Sequence, residues 1–301
     1  MKKKKQGSVL IEKRNRKGYL YLLPWIIGFL VFQLYPIAMS FFYSLTDYSF
    51  GSNFSLVGLA NYFNIFKLDK EVKNSLLVTF KFVLMSVPMK LLSALIIAML
   101  LNQSIKGIGI FRTVYYLPSI LGGSVAVAIL WRHLFDLNGV VNHLLNKLGI
   151  ESIGFLTNPK ALTTISMLSV WQFGSSMLFF LSALKQVPKS LYEAAKIDGA
   201  GPVRSFFKIT LPMISPMTLF NLIMQMINAF QEYTAPAVIT GGGPVKKTQV
   251  LAITLYQNAF TYRKMGYASA ISWIMFAIII VFTIFIFGTS GKWTYYGDEE
   301  G

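Results

Sequence analysis

The chain has 301 residues, 54% of them hydrophobic and only 13% charged, with a formal net charge of +16 and no cysteine. Soluble domains carry about a quarter charged residues, so this composition excludes the ordinary soluble class and points to a membrane protein. The missing thiol excludes disulfides, thiolate metal sites and cysteine nucleophiles.

In chain order, the first element is a lysine-rich tail, residues 1–17, followed by an uncharged run from Gly18 to Thr46. A basic start before an apolar run also fits a secretory signal. This run is much longer than a signal's apolar region, and Pro24 and Pro36 interrupt it, so an uncleaved first helix is expected. Further runs follow at Asn74 to Leu101, apolar except for Lys81 and Lys90, then Thr113 to Trp131, Ala161 to Leu184, Ile209 to Gln231 and Met265 to Gly291. Each is near or above the roughly 20 residues that cross about 30 Å of hydrocarbon. The expected fold is therefore all-α with six transmembrane helices, at about 19–45, 74–101, 112–132, 161–184, 211–235 and 266–289. Together with their loops they form one domain over 18–290, followed by a short tail over 291–301. Pro36 and Pro88 fall within helices, where they are expected to produce bends.

The basic residues orient these spans, because short cytoplasmic loops are enriched in Lys and Arg. With the N-terminus inside, the tail, Lys106, Arg112, Lys185, Lys189, Lys196, Arg204, Lys208 and Lys292 together place 16 of the 28 Lys and Arg in the cytoplasm. Both termini and the connection at 186–210 then face the cytoplasm. That connection is polar: LYEAAKIDGAGPVRSFFKITLPMISP spans 191–216. Pro188 sets a turn, Ser190 is placed to cap a helix, and Leu191 to Ile197 is rich in helix formers. Asp198-Gly199-Ala200-Gly201-Pro202 ends it, since glycine takes the left-handed conformation and proline blocks continuation. A second short helix over Val203 to Thr210 leads to Leu211-Pro212. The product is a short rigid helix held outside the bilayer, either a plain connector or a knob that fits a pocket on a cytoplasmic partner.

Within the spans, polar side chains should face the bundle interior. Asn221, Gln225, Asn228 and Glu232 are spaced 4, 3 and 4 and fall within about 60° on a helix, one polar stripe. Ser169, Gln172 and Ser176 share a face of the preceding span. Amides and hydroxyls both donate and accept, which suits the hydroxyls of a sugar; the competing role is helix-to-helix hydrogen bonding. Trp171 and Phe173 rank second, as stacking surfaces. Lys81 and Lys90, nine apart, lie on opposite faces, so at most one lines a path; a path-facing Lys90 hints at an acidic sugar. There is no phosphate-binding loop of the Gly-x-x-x-x-Gly-Lys-Ser/Thr type, no convincing metal ligand set around His133 and His143, and Gly241 to Gly243 reads as an outer turn.

The run Glu193-Ala194-Ala195, Asp198-Gly199-Ala200, Phe206, Ile209, Leu211-Pro212 and Pro216 resembles the EAA loop of permease subunits in binding-protein-dependent ABC importers. The likeness extends over the chain and narrows to the carbohydrate-uptake group, on the side of the larger permease of maltose importers. Asn102, Phe111-Arg112, Tyr116-Leu117-Pro118, Leu130-Trp131 and Leu134-Phe135 resemble its second and third helix signatures. Thr240-Gly241-Gly242-Gly243-Pro244, Thr248, Leu255-Tyr256, Ala259-Phe260 and Gly266-Tyr267-Ala268-Ser269-Ala270 resemble its last third. The extra N-terminal helices and large outer insertion of that permease have no counterpart here. The resemblance implies a type I importer fold in which Leu191, Glu193, Ala194, Ala195, Asp198, Gly199 and Ala200 couple to an ATPase. It places Gln172, Phe173, Ser176, Gln225, Asn228 and Glu232 at or beside sugar-contacting positions, and Asn221 joins them by the stripe. It further implies a transport subunit in the bacterial inner membrane that is not itself an enzyme, has no cofactor of its own, and moves a sugar, an oligosaccharide by preference. Implied partners are a second, homologous but different permease, two ATP-binding subunits that use ATP and Mg, an extracytoplasmic solute-binding protein and membrane lipid, with no nucleic acid. The alternative is a secondary transporter driven by an ion gradient, a class marked by internal repeats, broken helices and buried carboxylates; a membrane-embedded enzyme would need clustered acids, histidines or a nucleophile.

Overall fold

Long apolar runs with few breakers propagate as helices, and the computed structural model is helical throughout, with one isolated β-bridge, Thr46 to Leu56, among the described residues. It describes residues 20–51, 54–103, 107–157 and 159–295. The basic tail over 1–17, Lys106 and residues 296–301 lie outside them. Two compact units are formed, one from Met1–Asn64 with Asn258–Trp273, the other from Ile65–Gln257 with Ile274–Gly301.

The first unit contains α1 (Leu20–Ser44), 25 residues long and none of its apolar window buried. A wide turn at Leu30–Leu34 precedes Pro36, which absorbs the hydrogen bond that proline removes and the clash of its ring with the preceding turn. Beyond α1 the chain folds back. Asn61 donates to the carbonyls of Ser44 and Thr46 at 2.9 and 2.8 Å, and Asp47 accepts from the backbone and hydroxyl of Ser55 at 2.6 and 2.7 Å. Those bonds favour the charged carboxylate and hold the Asp47 pKa below its ordinary value.

The second unit is built around α3 (Lys70–Leu101), 32 residues and continuous through Pro88; the short α2 (Ala60–Lys67) comes before it. Asp69 caps α3 by accepting from Glu71 and Val72 at 2.8 and 3.0 Å. The next helices are α4 (Ile108–Leu121), α5 (Val125–Phe135), α6 (Val140–Lys147), α7 (Ala161–Trp171), α8 (Gly174–Gln186), α9 (Lys189–Ile197), α10 (Pro202–Met213), α11 (Ser215–Phe230), α12 (Thr234–Ile239) and α13 (Leu251–Tyr256). The last, α14 (Met265–Ser290), contributes Ile279 to a core with Val83 and Val87 of α3 and Met226 and Phe230 of α11. A second core joins Ala94, Ala98 and Leu101 of α3 to Met177, Phe180 and Leu184 of α8. Large apolar side chains such as Leu84, Leu92, Ile96, Ile284 and Phe285 remain exposed on the outside, the reverse of a soluble bundle.

Among the described residues three helices are long and apolar enough to span by themselves, and three bent pairs would each make one more span if counted as a unit. The stretch expected as one span at 112–132 is broken after α4, which makes an angle of 102° with the stretch Val125–Lys147 that holds α5 and α6, and Gly123 at the break has φ +75; α7 and α8 meet at 46°, and α10 and α11 at 67°. The span expected at 211–235 ends at Phe230, and α12 starts anew at Thr234. Ser190 lies inside α9 and makes no cap; Pro188 precedes the helix without a side-chain bond.

The close approach of α8 to α4 fixes the second of these bends. A Cβ on Gly174 would lie 2.6 Å from the Tyr115 carbonyl oxygen and 2.8 Å from the Tyr116 Cα, both backbone atoms that cannot turn aside. Gly174→Val is therefore expected to destabilise the protein by about 1–3 kcal/mol, as overpacking does. Gly288→Ala, where a Cβ meets nothing within 4 Å, should leave stability unchanged or slightly raised. Thermal unfolding of the purified protein in detergent distinguishes the two.

Candidate functional site

Breaking a helix strands its last carbonyls and the next helix's first N–H groups, which hydrocarbon cannot satisfy. At the α7–α8 break one side chain serves both. The Ser119 hydroxyl of α4 donates to the Gln172 carbonyl at 2.9 Å and accepts from the Ser175 N–H at 3.1 Å. Gln172 is thereby held at the corner, close beside Gly122. On the far side Trp131 of α5 donates to the Thr164 carbonyl at 3.0 Å, tying the bent α4–α5 pair to α7.

The corner opens onto a cavity of about 40 Å³, lined by Ser86 and Lys90 of α3, Ser169 and Gln172, Gln225 and Asn228 of α11, and Glu232, over an apolar floor of Phe82, Val87 and Ala229. A water needs ~10–15 Å³ of such space, so it takes a few waters and no sugar ring. A smaller cavity shares Ser169, Gln172 and Glu232 and reaches the Gly123-Ser124 bend. Glu232 is oriented by its Oε1, which accepts the Ala235 N–H at 2.9 Å.

Four of the seven expected pathway residues, Gln172, Gln225, Asn228 and Glu232, thus come together. The other three do not line the cavity. Asn221 and Ser176 are fully buried, and the Asn221 amide and Ser176 hydroxyl have no hydrogen-bond partner. Phe173 packs on the core of α3 and α8, its ring 6.0 Å from Tyr115. Trp171 stacks toward Trp131 at 6.0 Å. Lys90 and Ser86 are the residues that counting along the fourth and fifth spans passes over. Their signal is the spacing Ser75, Thr79, Phe82, Ser86, Lys90 on one face of α3. The N-terminal part of that face is committed to structure: Ser75 bonds Thr254 at 2.6 Å and Thr79 accepts the Leu251 N–H at 2.8 Å. Lys81 is exposed on another face.

At the other end of the unit, α9 is anchored by Tyr192, which packs on the α3–α8 core and bonds the Thr210 hydroxyl at 2.8 Å. Leu191, Glu193, Ala194, Asp198 and Gly199 are exposed, while Ala195 and Ala200 are half-buried. Gly199 has φ +73; its N–H reaches the Lys196 carbonyl at 3.2 Å and the Ala200 N–H reaches the Ala195 carbonyl at 2.8 Å. This paired closure is the Schellman motif, in which the left-handed position favours glycine.

A polar cavity between bent spans together with a capped, exposed helix between two of them is matched by sequence. Residues 69–291 fit the family of binding-protein-dependent transport system inner membrane components. The chain belongs to that family. Its relatives include the probable ABC transporter permease protein YesP of Bacillus subtilis strain 168, 48% identical over 294 residues, covering 96% of this chain and 95% of the relative. The sn-glycerol-3-phosphate transport system permease protein UgpA of Yersinia pestis bv. Antiqua (strain Antiqua) is 35% identical over 274 residues, 89% of this chain and 92% of the relative. The fold is shared with a chain of a bacterial ABC transporter involved in import of the acidic polysaccharide alginate (TM-score 0.78, 22% identity, 94% of this chain and 98% of that one). It is also shared with a chain of a bacterial alginate ABC transporter in complex with alginate pentasaccharide-bound periplasmic protein (TM-score 0.79, 21% identity, 95% and 98%). This permease is therefore a membrane subunit of a binding-protein-dependent ABC importer, a transport component and not an enzyme. Broken helices do not set it apart from ion-driven transporters; the family match does.

Ser119→Ala removes one group and leaves two partly buried backbone groups unmatched, at up to about 1–3 kcal/mol for each unsatisfied group. The permease is expected to lose several degrees of thermal stability, and Ser119→Thr, which keeps the hydroxyl, to retain most of it.

Proposed function

We propose that this permease carries a sugar through the cavity between α3, α7 and α11 into the cytoplasm, driven by ATP hydrolysis in partner subunits. The observation that carries the proposal is the convergence of Gln172, Gln225, Asn228 and Glu232 on one cavity in the interior of the bundle. Donors and acceptors gathered there match a polyhydroxylated solute. The cavity admits only waters in this conformation, so passage requires it to widen, the rocking of rigid helices expected of alternating access. A relative named for transport of sn-glycerol-3-phosphate supports a small polyhydroxylated or sugar-like cargo.

In this reading α9 is the coupling helix. Leu191, Glu193 and Ala194 face outward toward an ATP-binding subunit, with Asp198-Gly199-Ala200 closing the knob. The ATPases, with ATP and Mg, the second permease and an extracytoplasmic solute-binding protein complete the transporter; the shared fold with a transporter seen with its periplasmic protein supports the last of these. The Lys and Arg distribution supports a multi-pass protein of the inner membrane, its domain over 18–290 flanked by cytoplasmic ends at 1–17 and 291–301.

Two sets of variants test this. Gln225→Leu and Asn228→Leu are expected to lower substrate uptake by at least tenfold while the complex assembles in normal yield; undiminished uptake would remove the cavity from the pathway. Gly199→Ala forces a Cβ into a left-handed position at about 1–2 kcal/mol, and Glu193→Ala strips the outward acid. Both are expected to leave ATP hydrolysis running with uptake strongly reduced, measured as solute moved per ATP, and an unchanged ratio would sink the coupling assignment.

A further inference from the structure

The amide stripe explains how the cavity could hold hydroxyls, but it does not explain Lys90. This residue lies 11 positions before the end of α3 at Leu101, ~17 Å along the helix, close to the middle of a bilayer core about 30 Å thick. At that depth a lysine cannot carry its ammonium to either surface, and a charge placed there without purpose is expensive. Its side chain opens on the cavity. The only carboxylate at the same cavity is Glu232, and among the described residues the one ion pair is Lys246 with Glu71. Lys90 and Glu232 therefore share the space without closing on each other, and Glu232 gives one oxygen to the Ala235 N–H. Ser86, one turn from Lys90, donates its hydroxyl to the Phe82 carbonyl at 2.7 Å. The remaining polar lining is neutral.

We propose that Lys90 is the anion-recognising group of the pathway, and that the solute is a sugar bearing a carboxylate or a phosphate. The proposal rests on the cavity being the pathway. Gln172, Gln225 and Asn228 bond hydroxyls, and the ammonium receives the negative charge at the depth where stripping its water costs most. A neutral sugar would leave that ammonium with Glu232 as the one counter-charge at the cavity, so the same residue discriminates against it.

The test uses the whole transporter, permeases with ATP-binding subunits, in nanodiscs at constant ionic strength, and reads binding from thermal shifts with glucose, glucuronate and glucose 6-phosphate. The wild type is expected to bind at least one of the two anions at least tenfold more tightly than glucose. Preference for glucuronate assigns a carboxylate, and preference for glucose 6-phosphate a phosphate. Lys90→Arg should keep the preference and Lys90→Gln abolish it. The absence of any preference in the wild type, or its survival in Lys90→Gln, overturns the proposal. So does recovery of wild-type preference in Lys90→Gln/Glu232→Gln, which would make the lysine only a partner for the carboxylate. Gln225→Leu separates the two readings: if it abolishes binding of all three sugars where the wild type shows no charge preference, the pathway stands and only the role of Lys90 falls. If no sugar binds the wild type, both fall.

Discussion

Hydrocarbon offers no partner to a peptide group, and a span that bends within it must find one inside the protein. The Ser119 hydroxyl meets that demand at the α7–α8 corner, answering both ends of the break with a single side chain. Because the corner is held, Gln172 is held, and because Gly174 has no Cβ, α8 can lie close enough to α4 for the hydroxyl to reach. The cavity is a by-product of that bend. Straight helices packed on the same cores would leave no such recess.

One face of α3 carries two kinds of work. At its N-terminal end Ser75 and Thr79 bind α13, while Glu71 engages Lys246 and accepts from Gln249 at 2.7 Å, so the stretch from Lys246 to α13 is tied to this helix. Two to three turns further in, the same face turns polar groups to the cavity. The stripe on α11 divides in the same manner. Gln225 and Asn228 reach the cavity, whereas Asn221 is sealed among apolar neighbours with its amide unmatched. An unmet amide costs about 1–3 kcal/mol, as does the buried Ser176 hydroxyl, so the part of this bundle around Asn221 and Ser176 is less comfortably packed than the part that holds the cavity.

Much of this was legible in the residues. The all-helical character, the compact helix after Pro188, its stop at Gly199 and the convergence of Gln172 with Gln225 and Asn228 all follow from run length, turn chemistry and helical spacing. What hydropathy could not show was where a run bends: Gly122-Gly123 and Phe173-Gly174 are as uncharged as their flanks, and an apolar window passes over them. The same bend explains why Ser176 leaves the face it was assigned, since the spacing from Gln172 counts along a helix that stops at Trp171. The choice between Lys81 and Lys90 stayed open in the sequence for another reason. Compared with Lys81, Lys90 is merely on the opposite side; compared with Ser86 one turn away, it belongs to a polar face. Glu232 lies past the end of α11 at Phe230, yet the spacing that placed it with Gln225 and Asn228 still brings it to the same cavity.

The closure of α9 at Gly199 is made within six residues, from the Ala195 carbonyl to the Ala200 N–H, and Tyr192 fastens the helix to its own bundle. No second protein is needed to give the knob its shape. A subunit docking there, as proposed, would meet a surface already ordered, so association would forfeit little chain entropy, and displacement applied to the knob would pass to α10 and α11 as movement of a stiff body instead of being spent on folding a slack loop.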